Sequence, residues 1–183
     1  MFKKLALVAL SVAAIAVSGV HAGGHSKARN KTAIFDIDGG KVAQPYNFNN
    51  LVPGTTRSNG IHQAVFEPLF ILNYETGEID PWMGESFTSN SSLDVWTLKL
   101  RKGIKWSDGE DLDADDVVYT IQMLLDDSTQ SLRDAASMQQ WVKSVEKQDK
   151  HTVVFNLTEP NARFQLDYFS VKIYGGVIII PEH

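Results

Sequence analysis

Between Val95 and Leu125 the hydrophobic period of the chain changes, and that change restricts the available folds more than any other feature. Trp96, Leu98 and Leu100 alternate with Thr97, Lys99 and Arg101, the period of a strand with one buried and one wet face. Asp108-Gly109 suits a tight turn. Asp113-Ala114-Asp115-Asp116 then sets carboxylates at the unpaired N–H end of a helix, and Val117, Ile121, Leu124 and Leu125 recur at helical spacing. A one-sided strand and a one-sided helix are stable only when they cover each other, so the chain is predicted to be mixed α/β.

The flanking sequence extends this pattern. Thr32 to Ile37 predicts a buried strand closed by Asp38-Gly39-Gly40, and the Pro- and Asn-rich stretch Gln44 to Thr56 predicts loop. Ser58 or Asn59 caps a predicted helix with Ile61, Ala64, Val65 and Leu69 on its apolar face, ended by Pro68. Ile71 to Tyr74 and Ile79 form a predicted hairpin through Glu75-Thr76-Gly77-Glu78, and Glu85 to Thr88 pairs with Val95 to Arg101. A second helix is predicted within Ser131 to Gln140. Val142 to Val145 and Thr152 to Leu157 form another strand pair, turning at Asp149-Lys150. Asn161 to Phe169 is a predicted short helix, and Trp82, Trp96, Trp106 and Trp141 are assigned to the core. Val177 to Ile180 is predicted to be a buried strand needing cover on both faces, so the chain is expected to be truncated and, alone, prone to aggregate there.

The N-terminus has a different character. Lys3-Lys4, the apolar run Leu5 to Val17 and the small residues around Ala22 compose a secretory signal over residues 1–22. That run is too short to cross a ~30 Å hydrocarbon core permanently. The chain has no cysteine, which leaves no lipid-attachment thiol and no disulfide, so stability must come from a packed core; 43% hydrophobic residues supply one. The net charge is −5, and more negative once Lys3 and Lys4 leave with the leader, which argues against nucleic acid as a partner.

Motifs for chemistry are sparse. The sequence has no Gly-rich phosphate loop and no Gly-x-Ser-x-Gly, and His25, His62, His151 and His183 are widely separated. Neither an enzyme, a cofactor nor a metal is expected. Asp108, Glu110, Asp111, Asp113, Asp115 and Asp116 mimic the alternate oxygen ligands of a calcium loop, but the closing bidentate Glu is missing, so helix capping and solvated charge are expected instead.

One ordered set of segments is specific: Phe66-Glu67-Pro68-Leu69-Phe70, Thr76 to Trp82, Trp96 to Gly109 with Leu100-Arg101-Lys102-Gly103 and Trp106-Ser107-Asp108-Gly109 inside it, Ala114 to Tyr119, Thr152 to Leu157 and Ile180-Pro181-Glu182-His183. In this order they resemble the N-terminal third of the bacterial family 5 solute-binding proteins, which include oligopeptide-, dipeptide- and nickel-chelate-binding members and some that bind oligosaccharides. The resemblance implies a partial type II periplasmic-binding-protein fold. Residues 23–65 would carry the leader, first strand and ligand loop of lobe I, and residues 66–183 a small inserted α/β domain, with the second lobe absent. It further implies a periplasmic protein, monomeric at full length, that hands a small peptide to an ABC permease and ATPase. An oligosaccharide ligand, or a standalone periplasmic binding domain, are the alternatives. The ligand-contact residues implied are Asn49, Gly54, Thr55, Thr56 and Arg57 in the loop after the first strand. Tyr174 before the last strand either stacks on ligand or is a buried structural aromatic.

Overall fold

A computed structural model describes residues 47–53, 65–171 and 176–183. The centre is an antiparallel four-stranded sheet in the order β3-β4-β6-β5, built from β3 (Gly84–Ser89), β4 (Val95–Leu100), β5 (Val142–Asp149) and β6 (Thr152–Leu157). The register places Trp96 opposite Phe155 and Leu98 opposite Val153, and Phe87 opposite Leu98 on the other side. Trp96, Leu98 and Leu100 are buried and Lys99 is exposed, as their alternation requires. β1 (Phe70–Leu72) and β2 (Ile79–Pro81) form the hairpin expected around Gly77, and β7 (Ser170–Val171) adds in parallel to β1 to make a second, three-stranded sheet.

Helix α1 (Ala114–Asp126) packs on β5, β6 and helix α2 (Ala135–Trp141), and its buried face is Val117, Ile121 and Leu124. Asp113 is its N-cap and completes a capping box with Asp116, each carboxylate accepting from the backbone N–H of the other's end of the turn. Ahead of it, Trp106 to Gly109 makes the tight turn, closed by Gly109 N–H donating to Trp106 O at 3.0 Å. Gly109 has φ +99°, a conformation that strains any residue with a Cβ. Under the sheet lies an aromatic cluster in which Phe87 is central, its ring 5.3–6.2 Å from those of Phe70, Trp96, Phe155, Phe164 and Phe169. Edge and tilted contacts predominate, the arrangement that aromatic quadrupoles favour.

Several expectations are corrected. Val177, Ile178 and Ile179 are buried but belong to no strand. Val177 N–H donates to Tyr168 O at 2.7 Å, and Ile180 N–H to Thr120 Oγ1 at 3.0 Å. A backbone carbonyl of the Gln165–Phe169 turn and a hydroxyl on α1 thus do what a neighbouring strand was expected to do, and the segment has the covering surface that it was expected to lack. Trp82 is exposed rather than core. The helix expected in Ser131 to Gln140 begins only at Ala135, and the one expected over Asn161 to Phe169 shrinks to a single π-turn, Gln165–Phe169. Helical backbone ahead of Pro68 ends at Val65, because a residue before proline is pushed out of the helical region, and Leu69 is buried outside the helix. The strand expected at Thr32 to Ile37 and the body of the helix expected from Ser58 lie outside the described residues.

Candidate ligand-contact region

Asn49, the one described residue of the expected contact set, sits in a double Asx turn. Its N–H donates to Asn47 Oδ1 at 2.9 Å, and its own Oδ1 accepts from Leu51 N–H at 3.0 Å. The turn leaves Phe48 exposed and sends Leu51 into the core. Gly54, Thr55, Thr56, Arg57 and Tyr174 lie outside the described residues.

What fixes this turn against the fold was not foreseen. Leu51 O accepts from Arg133 N–H at 2.7 Å, which seats the segment on the connection between α1 and α2. That connection is knotted around Asp127. Its Oδ2 accepts from Leu132 N–H at 2.7 Å, and its Oδ1 from Thr129 Oγ1 at 2.7 Å and Thr129 N–H at 3.2 Å. The Leu132 N–H above all, then the Thr129 hydroxyl, holds the Asp127 carboxyl below the usual carboxylate range. Gln139 Nε2 donates to Leu124 O and Asp127 O at 2.9 and 2.8 Å, and its Oε1 accepts from Gln130 Nε2 at 2.9 Å. Gln130 and Asp134 adopt φ of +51° and +71°, left-handed backbone without a glycine. Such backbone persists only where surrounding bonds over-determine it, and it concentrates at functional loops. A helix was expected from Ser131; the Asp127-x-Thr129-x-Ser131 pattern, a side chain bonding nearby backbone, is the signal that locates the knot.

Asn50 is the anomaly. It is 2% exposed, and neither its amide oxygen nor its amide nitrogen has a hydrogen-bond partner among the described residues. A buried amide left unpaired costs about 1–3 kcal/mol.

The acid-rich turn is organised differently. Glu110, Asp111, Asp113, Asp115, Asp116, Glu182 and His183 line an open hollow of about 540 Å³. Asp111 reaches both Lys105 and Lys150 (2.7 and 2.9 Å), Asp115 pairs with Lys147, and Asp108 faces His183 Nε2 at 2.8 Å. The hydrogen bonds from Lys105 and then Lys150 pull the Asp111 carboxyl down to about 2. Asp116, 4% exposed, serves three donors. Trp106 Nε1–H and Asp113 N–H bond its Oδ2, each at 3.0 Å, and Glu182 N–H its Oδ1 at 2.9 Å. These carboxylates therefore join the turn, the helix and the last described segment.

Comparison with known proteins agrees with this architecture. Residues 78–181, more than half of the chain, match the model for the bacterial extracellular solute-binding proteins, family 5, middle region. The oligopeptide-binding protein AppA of Bacillus subtilis is 28% identical over 99% of this chain and 34% of its own length. The periplasmic oligopeptide-binding protein OppA of Salmonella typhimurium is 39% identical over 44% of this chain and 14% of its own. The structure of B. subtilis AppA in complex with a nonapeptide superposes with TM-score 0.63 at 26% identity, over 78% of this chain and 27% of AppA. A Thermotoga maritima periplasmic oligopeptide-binding protein with mannohexaose bound gives 0.53 at 28% identity, over 64% of this chain and 20% of that one. The chain thus spans about a third or less of the length of these relatives. With its mixed helix-and-strand fold, its capped-helix signature and this match, the chain belongs to the bacterial extracellular solute-binding proteins of family 5.

Proposed function

We propose that this chain is part of the substrate-binding component of an ABC importer. It is exported through the leader in residues 1–22 and captures a peptide-like solute in the periplasm for delivery to a permease and its ATPase. It performs no chemistry on the solute, and it acts as a monomer when joined to its second lobe. The observation that carries this reading is the alignment of 99% of the chain with an oligopeptide-binding relative. Within it, residues 23–65 supply lobe I's ligand loop and residues 66–183 the inserted domain. Asn49, Gly54, Thr55, Thr56, Arg57 and Tyr174 are its ligand contacts; of these Asn49 belongs to the turn that Leu51 and Arg133 seat on the Asp127 knot. Backbone groups near Gly54, the two threonine hydroxyls and the Arg57 guanidinium suit a carboxylate or main-chain amides.

The test is a chimera in which residues 47–183 replace the matching segment of B. subtilis AppA, assayed by thermal shift with a nonapeptide. Binding to the folded state raises the melting temperature with ligand concentration. The expected result is such a rise, diminished in Arg57→Gln. A cooperatively folded chimera that no peptide stabilises refutes peptide capture. Oligosaccharide capture is the second reading, favoured by the mannohexaose-bound relative; stabilisation by mannohexaose and not by peptide would establish it.

A further inference from the structure

The connection between α1 and α2 is bonded more heavily than a link between two helices requires. Asp127 alone gathers Leu132 N–H, Thr129 N–H and the Thr129 hydroxyl, and that hydroxyl also lies 3.0 Å from Ser131 Oγ. Gln139 Nε2 closes the end of α1 by donating to Leu124 O and Asp127 O, carbonyls that a helix terminus leaves without an intrahelical partner. Gln130 and Asp134, both left-handed without being glycine, bracket Ser131, Leu132 and Arg133. Backbone of that kind is kept in place by the bonds around it.

What these bonds hold is Arg133, whose N–H donates to Leu51 O at 2.7 Å. On the other side of that bond the turn at residues 47–53 folds on itself. Asn49 N–H donates to Asn47 Oδ1, Leu51 N–H to Asn49 Oδ1 and Val52 N–H to Asn49 O. Local bonds of this sort give a turn its shape; they do not place it on the domain. The Arg133–Leu51 bond and the buried Leu51 side chain do so. A contact loop that is in place before its ligand arrives loses less conformational freedom on binding, so loosening its seat lowers affinity with every contact residue intact.

We propose that Asp127 and Thr129 are positioning residues for solute capture, holding the α1–α2 connection so that Arg133 seats the Asn49 turn in its binding-competent place. They act through Arg133 and Leu51, and the inference rests on the reading of Asn49 as a ligand contact. The test uses the chimera of residues 47–183 with B. subtilis AppA and has two readouts. Without ligand, backbone hydrogen exchange read by mass spectrometry should be faster over residues 47–53 in Asp127→Ala than in the parent chimera, with β6 equally protected in both. With ligand, calorimetry should find nonapeptide binding weakened about three- to tenfold by Asp127→Ala and by Thr129→Val, which keeps the shape of an exposed side chain and removes its hydroxyl. Thr129→Ser, which keeps the hydroxyl, should bind as the parent does. Gly109→Ala is the control: it strains a turn outside this connection, and a folded domain made modestly less stable still binds with its full affinity. If mannohexaose rather than peptide stabilises the parent, the same comparison is made with that sugar. Positioning is overturned if exchange over 47–53 is unchanged in Asp127→Ala, if both variants bind as the parent does, or if Gly109→Ala weakens binding equally. A folded parent chimera that binds neither the nonapeptide nor mannohexaose refutes solute capture itself, and positioning with it.

Discussion

At the scale of single residues, Asp116 carries the largest predicted consequence among the polar side chains. Asp116→Ala strands the Trp106 indole N–H and the Asp113 and Glu182 backbone N–H groups at once. At about 1–3 kcal/mol per stranded buried donor, and with partial rescue by water, the loss should be about 2–4 kcal/mol, read as a lower urea midpoint at unchanged slope. Asp116→Asn, which keeps one acceptor, should lose less. The exposed pairs give smaller effects that depend on pH in opposite senses. Asp111 is held at about 2, below its unfolded value near 3.9, so its contribution is present above about pH 4 and disappears as pH falls towards 2. His183 is raised, first by its hydrogen bond to Asp108, so its contribution is present below about pH 6.5 and fades as pH rises through its folded value. Asp111→Asn should flatten the acid limb of the stability profile and His183→Gln the neutral one. Half-molar salt should blunt both, because these side chains are solvated.

At the scale of elements, glycines give a contrast. Gly109→Ala meets no atom within 4 Å, yet it must adopt φ +99°, so about 1 kcal/mol of backbone strain is expected. Gly84→Ala, by contrast, would place its Cβ 2.3 Å from Phe70 Cζ, a clash with the aromatic cluster itself, for which about 1–3 kcal/mol of overpacking is expected. Thermal melts of the two variants separate strain from clash, since only the second should also disturb near-UV aromatic dichroism. These elements were legible beforehand because local period and local capping specify them: the β4 alternation and the Asp113–Asp116 box each act within a few residues. Val177 to Ile180 was legible as buried but not as unladdered, because its acceptors, Tyr168 O and Thr120 Oγ1, are chosen by packing that no local window contains. Trp82 misled for the complementary reason. Its type predicts burial, and only the partners Glu67 and Arg101, 15 and 19 residues away, reveal that it is held at the surface. Of the candidate contact set only Asn49 lies among the described residues, in a turn that the Asn-rich run makes legible. Its seat could not, because Leu51 meets Arg133 through a backbone bond that any residue pair can make.

For the whole molecule, the last described segment fills the core that the sheet and α1 leave open. Ile179, 2% exposed, should cost about 2–5 kcal/mol when cut to alanine, measurable by urea unfolding. The same segment completes Asp116, whose Oδ1 partner lies 66 residues downstream. A ribosome therefore finishes the acid-capped helix well before it makes the residue that satisfies it. Until Glu182 is made, Asp116 Oδ1 lacks its backbone donor, and the core side chains that Ile179 covers have no partner from this segment. Residues 177–182 thus supply both the side chains that complete this core and the third donor of Asp116.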